Sequence, residues 1–390
     1  MGEFDQLISR RGTDSIKWHV KDGELPMWIA DMDFKTAPAI LKAMREKVDF
    51  GVFGYEEPQS DYFNAVAHWY ETAHHARPET DWMLYCTGVV PAISSVVQRI
   101  SHVGDNVVVQ APVYDIFYHS IENNGRHVLS SDLIYDQQEH RYLIDFTDLE
   151  AKLAKPLTTL MILCNPHNPV GKVWSRDELI QISRLCQKHH VVLLSDEIHG
   201  DLVFGEPAYT PLFSLPEELI QNTITTVSPS KSFNVAALHA ATVIVPNENL
   251  RESVSRGINN DELGEPNLLA IPATIAAYTQ SADWLHALKA KLVENRKIVD
   301  RFVSTELTEV QLVSENATYL LWFDVSQVTD DAEKLTAFIR KQTGLFLSAG
   351  TVYRGNGHDF LRMNIACPTE LVEDGLHRLK QGITEFEKLN

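Results

Sequence analysis

The sequence predicts an α/β fold: a mostly parallel sheet covered by helices on both faces, followed by a smaller α+β unit. Three observations carry this. Uninterrupted apolar, β-branched runs recur at 107–110, 158–164, 191–195, 224–227 and 241–245. Such runs suit strands buried on both faces. Helical periodicity separates several of them. After about residue 275 the order changes to one long helix, short strands and two more helices. At 390 residues the chain is long for a single core, so two domains are expected.

The elements follow in order. Residues 1–50 read as an arm plus one helix. The arm carries Trp28-Ile29-Ala30-Asp31-Met32-Asp33-Phe34, and Thr36-Ala37-Pro38 opens the helix, which runs to Lys47. Gly51-Val52-Phe53-Gly54-Tyr55 is a glycine-framed turn that presents a tyrosine. A helix over 61–74 places Phe63, Val66, Ala67 and Tyr70 at helical spacing. Residues 82–86 form a strand, and Thr87-Gly88 turns it into a helix with Ile93, Val96, Val97 and Ile100 on one face. Ser175-Arg176-Asp177-Glu178 is a capping box that starts a helix. A long helix over 282–305 carries Leu285, Leu288, Leu292, Val299 and Phe302 on one stripe. Strands at 310–313, 319–325 and 360–365 and helices at 331–342 and 370–388 complete the smaller unit, with Trp322 and Phe323 in its core.

Composition excludes several functions. A net charge of −19 repels nucleic-acid phosphates, and no basic block suits an anionic membrane. Cys86, Cys164, Cys186 and Cys367 are scattered; three sit in apolar or strand-like surroundings, where buried thiols are the default, so a reducing cytoplasm is expected. Met1-Gly2-Glu3-Phe4-Asp5 lacks the basic and apolar regions of a signal peptide, and no run is long enough to cross a bilayer. His74-His75 and His189-His190 lack a ligand set, so no metal is expected. Gly355-Asn356-Gly357-His358 lacks the third glycine of a dinucleotide loop, and no Gly-x-Ser-x-Gly elbow is present.

In open parallel sheets ligands bind beyond the carboxyl ends of the strands. Each strand here delivers one group to that edge. The first gives Gly88-Val89-Val90, a helix start whose free amides attract phosphate. The second gives Tyr114, an aromatic face for a flat ring. The third gives Asn168, a donor for a ring oxygen, and the fourth gives Asp196, a carboxylate able to keep a pyridine nitrogen protonated. The fifth gives Ser228-Pro229-Ser230-Lys231: hydroxyls for a phosphate and an amine that a desolvated pocket would turn into a nucleophile toward an aldehyde. Alone, Lys231 reads as a surface lysine and Asp196 as a helix cap. Together the five strand ends supply the contacts of pyridoxal phosphate.

With Phe360-Leu361-Arg362 added, these motifs resemble the class I/II aminotransferase family, fold type I of the pyridoxal phosphate enzymes, across nearly the whole chain. Ala30-Asp31-Met32-Asp33-Phe34, the turn at 51–55, Ser195-Asp196-Glu197-Ile198-His199 and Lys231-Ser232-Phe233-Asn234 resemble its cystathionine β-lyase branch, the MalY/PatB type of C–S lyase. The resemblance implies an arm and part of the small domain at 1–50, a large cofactor domain at 51–280 and a C-terminal small domain at 281–390. It implies that Lys231 holds the cofactor as a Schiff base and shuttles the α-proton. Asp196 would pair with the ring nitrogen, Asn168 with the ring oxygen, and Tyr114 would stack on the ring. Val89 and Val90 amides, Ser228 and Ser230 would hold the phosphate, and Arg362 the substrate carboxylate. Tyr55 would reach the phosphate of the neighbouring subunit, which requires a homodimer. Two positions depart from the family pattern. His199 stands where many members carry tyrosine, and His239 stands where an arginine often binds phosphate.

The reaction expected is α,β-elimination of cystathionine or another S-substituted cysteine to a thiol, pyruvate and ammonia. An aminotransferase would use the same residues up to the carbanion and is the second reading, but a dicarboxylate enzyme would want a further arginine that the sequence does not reveal. A non-enzymatic cofactor-binding regulator is the third. The residues ahead of the first motif lack a basic recognition helix, and the intact Lys231 favours catalysis.

Overall fold

A computed structural model describes residues 3–313 and 315–389, so Met1-Gly2 of the expected arm lies outside the described residues. A seven-stranded sheet dominates. Its strands are β1 (Met83–Cys86), β2 (Asn106–Val109), β3 (His127–Ser130), β4 (Thr158–Cys164), β5 (Val192–Asp196), β6 (Thr223–Val227) and β7 (Ala241–Ile244), in the order β1-β7-β6-β5-β4-β2-β3. β7 runs antiparallel to both its neighbours, and every other pairing is parallel. The carboxyl ends of β1, β2, β4, β5 and β6 therefore share one edge.

The unbroken apolar runs have a simple cause. Along β4, Leu160, Ile162 and Cys164 join a core with Ile93, Val97, Phe117 and Val254 from the helices Val89–Ile100, Asp115–Glu122 and Glu248–Asn260. The alternate residues Met161 and Leu163 join a second core with Leu149, Leu153, Leu179 and Ile182 from the helices Phe146–Leu153 and Arg176–Lys188. Both faces are covered, so period-two alternation of polarity vanishes. The capping box at Ser175 forms as expected: its Oγ accepts from Glu178 N at 3.2 Å, and the Glu178 carboxylate accepts from Ser175 N at 2.8 Å.

The smaller sheet is antiparallel. It consists of β8 (Gln311–Leu312), β9 (Leu320–Asp324), β10 (Ser348–Ala349) and β11 (Phe360–Asn364), in the order β8-β9-β11-β10. The helices Ala282–Glu306, Ala332–Thr343 and Thr369–Glu387 pack with it. Trp322 and Phe323 are buried as expected, Trp322 stacking on Phe360 at 5.1 Å. Several elements were not legible in the sequence. The edge strand β3 is half-exposed and has no apolar run. The helix Ala270–Gln280 is alanine-rich, carries Pro272 and has no side-chain cap, so it shows no stripe and no start signal.

A strap over residues 28–34 joins the two units. Its carbonyls are held in succession by side chains of the small sheet. Trp28 O accepts from Arg362 at 2.8 Å and Ser348 at 2.9 Å, and Ile29 O from Asn364 at 2.7 Å. Asp31 O accepts from the same Asn364 Nδ2 at 2.6 Å. On the other side Asn234 Nδ2 donates to Met32 O at 3.1 Å and Phe34 O at 2.8 Å. The buried Asn364 also accepts from Ala366 N at 2.7 Å. Replacing it with leucine, of similar size, removes three hydrogen bonds to the backbone and leaves Ala366 N unpaired, while Ile29 O keeps Asp31 N at 3.0 Å and Asp31 O keeps Lys17 at 3.2 Å. Asn364→Leu is expected to lose on the order of 3 kcal/mol or more in denaturant unfolding, and wild-type stability would refute the stitching of the strap.

Candidate active site

A cavity of about 390 Å³ opens at the carboxyl edge of the large sheet, where the fold's rule for ligand sites puts it. The structure brings Val89, Val90, Tyr114, Asn168, Asp196, His199, Ser230 and Lys231 onto its wall, from five separate strand ends. Ser228 stands behind the wall: its Oγ lies 2.6 Å from Ala240 O, and it accepts from Ser230 N at 3.1 Å. Arg362 reaches the wall through Asn168 Oδ1 at 3.0 Å. Tyr55 is 99% exposed, and the cavity wall of its own chain does not include it.

Lys231 donates from Nζ to Ala30 O at 2.6 Å. Burial lowers its amine to about 8; the charge of Asp31 opposes that, Arg362 reinforces it and Asp196 opposes it. Near neutrality a useful fraction of the amine is unprotonated. Asp196 sits at the end of β5, in register with Cys164 of β4 and Thr226 of β6. Burial raises its carboxyl to about 6, against a hydrogen bond from Ile198 N at 3.1 Å and the charge of Lys231. A buried carboxylate so poorly supplied with donors favours a cation placed against it.

Two buried groups have donors or acceptors to spare. Arg362 Nε has no hydrogen-bond partner, although Nη1 and Nη2 are engaged. His199 Nδ1 is likewise unpartnered, and burial followed by the charges of Lys231 and Arg362 lowers the imidazole to about 3. His199 is therefore a neutral ring across the physiological range.

At the other end of the cavity the helix Val89–Ile100 begins with no side-chain cap. The amides of Val89 and Val90, its first two residues, have no acceptor within the helix. Gly88 precedes them at φ +146°, and a Cβ would sit 3.2 Å from Pro91 Cδ, so glycine is required. His239 also lines this cavity, and its carbonyl accepts from Tyr85 at 3.0 Å. Ala30 and Tyr319 are the neighbours that sequence reasoning missed as site residues. Ala30 O accepts from Tyr319 at 3.2 Å as well as from Lys231. No local motif marks them: Ala30 acts through its backbone, and Tyr319 reads as the start of a strand.

The fold and this wall of strand-end groups define a doubly covered α/β protein with a lysine–carboxylate ligand cavity between a large and a small unit. Comparison with known proteins goes further: the family model for aminotransferase class I and II matches residues 26–379. The chain belongs to that family. It is 39% identical to cystathionine beta-lyase PatB of Bacillus subtilis, over 98% of this chain and 100% of that protein. It is 35% identical to MalY of Escherichia coli, over 98% of this chain and 99% of that protein. Among solved structures, cystalysin from Treponema denticola, which contains a pyridoxal 5'-phosphate cofactor, superposes with a TM-score of 0.94 at 30% identity, covering 99% of each chain. The resemblance to the MalY/PatB branch read from the sequence is borne out.

The raised Asp196 carboxyl has a consequence for stability. Between about 4 and 6 the folded state binds a proton that the unfolded chain has released, so stability falls as pH rises through that window. At pH 7 the penalty is on the order of 3 kcal/mol. Asp196→Asn, without cofactor, is expected to unfold at higher denaturant than wild type at pH 7 and to show no such gain near pH 4. A less stable variant at pH 7 would contradict the account.

Proposed function

We propose that the protein is a pyridoxal phosphate-dependent C–S β-lyase that eliminates a thiol from cystathionine or a related S-substituted cysteine. The observation that carries this is the pairing of a desolvated Lys231 amine with the buried Asp196 carboxylate on the wall of one cavity. The residues fit the cofactor in other respects. An uncapped helix start and Ser230 suit a phosphate. Tyr114 offers a ring face and Asn168 a polar head. The names of PatB and the other relatives support the lyase reading over transamination. Apart from Arg362, which reaches it through Asn168, the cavity wall includes no arginine among the described residues, where a dicarboxylate aminotransferase would want a second.

When bound, pyridoxal phosphate supplies an aldehyde for amines and a ring that accepts an electron pair. The chain does the rest. Lys231 Nζ would hold the aldehyde end, and its free amine would be the base for the proton on the substrate Cα. Asp196 keeps the ring nitrogen protonated by its charge, and the cation in turn offsets the cost of burying Asp196. Asn168 and neutral His199 orient the ring oxygen. The amides of Val89 and Val90, with Ser230 backed by Ser228, hold the phosphate. The spare Nε of Arg362 leaves this guanidinium a donor for the substrate carboxylate, for which its planar shape is suited. As the Cα proton passes to Lys231, the C–S bond breaks and sulfur departs with the electron pair, taking up a proton. Water then converts the remaining fragment to pyruvate and ammonia.

The assembly we propose is a homodimer. Phe50, Val52, Phe53 and Tyr55 are 72%, 60%, 68% and 99% exposed, an apolar stretch that a second copy would cover. Tyr55 would then reach the phosphate of the other subunit. Four buried thiols suit a reducing cytoplasm. No helix among the described residues is long and apolar enough to cross a membrane.

Purified protein given cystathionine should release pyruvate and thiol in equal amounts, and Lys231→Ala should lose both that activity and the visible absorbance of a lysine-bound cofactor. Amino-group transfer to 2-oxoglutarate with no pyruvate or thiol would overturn the lyase reading. Tyr55→Phe should weaken cofactor binding about tenfold at unchanged dimer content, the effect of removing one charge-assisted hydrogen bond. Unaltered affinity would remove Tyr55 from the site.

A further inference from the structure

Tyr319 is buried beside the cavity and plays no part in the steps assigned to Lys231, Asp196 and Arg362. Its hydroxyl donates to Ala30 O at 3.2 Å, the same oxygen that accepts Lys231 Nζ at 2.6 Å. A carbonyl oxygen has two lone pairs, so both donors fit at once. The carbonyls on either side differ. Trp28, Ile29 and Asp31 are held by Arg362, Ser348, Asn364 and Lys17, none of which must move for chemistry at Nζ. Ala30 alone in this run shares its oxygen with the reacting amine.

The backbone that presents Tyr319 is held with unusual firmness. Thr318, a buried β-branched residue, stands at φ +66°, in the left-handed region that such residues avoid. Conformations of this kind persist where the surroundings over-determine them. Here Thr318 N donates to Leu202 O at 2.8 Å in the large unit, and its Oγ1 accepts from Leu320 N at 3.1 Å. Tyr319 O in turn accepts from Ile365 N at 2.9 Å. The ring stands edge-on to His199 at 6.5 Å.

We propose that Tyr319 is a positioning residue whose hydroxyl keeps the Ala30 carbonyl hydrogen-bonded whenever Lys231 leaves that oxygen. This rests on the pyridoxal phosphate reading. On loading, the neutral Nζ bonds to the aldehyde carbon, and its two hydrogens depart with the aldehyde oxygen as water. Nζ then carries at most the one hydrogen of a protonated imine, which the adjacent ring oxygen accepts, so none is left for Ala30. Without the Tyr319 hydroxyl each departure would leave a half-buried acceptor without a protein donor, which favours the unloaded protein and slows every step that needs Lys231 in motion.

Removing one hydroxyl tests this. Y319F is expected to bind pyridoxal phosphate about tenfold more weakly, as one stranded carbonyl predicts. Its kcat should fall by a similar factor with KM within about twofold, while the unfolding midpoint of the cofactor-free protein stays at the wild-type value. In a Lys231→Ala background no departure occurs, so Y319F should change cofactor affinity no further. Equal loss in both backgrounds would overturn the proposal, because the hydroxyl would then act on the cofactor directly. So would wild-type affinity in Y319F, or a fall in the cofactor-free midpoint that accounts for the whole effect. If wild-type protein itself develops no visible band with pyridoxal phosphate, the cofactor reading fails first and this proposal with it.

Discussion

A lysine amine forced out of water is the constraint on which the site depends. Lys231 follows the end of β6, a strand whose five residues are all buried. Among the described residues Nζ has one carbonyl and no direct carboxylate, so the ammonium form is penalised and the amine becomes available. Asp196 suffers the opposite penalty on the same wall, with its carboxyl held up at about 6. Neither group gains by this on its own. A ligand that bonds to the amine and sets a cation against the carboxylate relieves both at once, and the proposed cofactor has those two ends.

The rest of the architecture serves to hold the two groups on one cavity. Parallel pairing from β2 through β6 brings four carboxyl ends to a single edge, and the reversal at β7 returns β1 to the same sense. The strap over residues 28–34 then closes the cavity from the small unit. Its carbonyls are fastened by Arg362, Asn364 and Tyr319 on one side and by Asn234, three residues past Lys231, on the other. The proposed substrate-binding arginine and the reacting lysine are thus tied to the same seven-residue segment, so a shift of the small unit is felt at Nζ.

Much of this was legible in the sequence, for identifiable reasons. The buried strands announce themselves because helices cover both faces, and their ends fall at Gly88, Asn168, Asp196 and Lys231 where side-chain chemistry changes abruptly. The capping box at Ser175 is a local rule and holds locally. What stayed hidden acts through backbone or through distance. Ala30 contributes a carbonyl, which no residue identity reveals. Tyr319 sits in an apolar run that reads as strand, and its function comes from a left-handed turn at Thr318 that no glycine signals. The half-exposed edge strand β3 and the alanine-rich helix Ala270–Gln280 lack the periodicity by which elements are found. The unpartnered Nε of Arg362 could be found only once β11 was paired in space.

Reduction with borohydride after incubation with pyridoxal phosphate, followed by peptide mass mapping, tests the central claim most directly. The account predicts one pyridoxyl group per chain, on Lys231, even though the sequence offers many more exposed lysines. A label spread over surface lysines, or fixed at a different one, would contradict it.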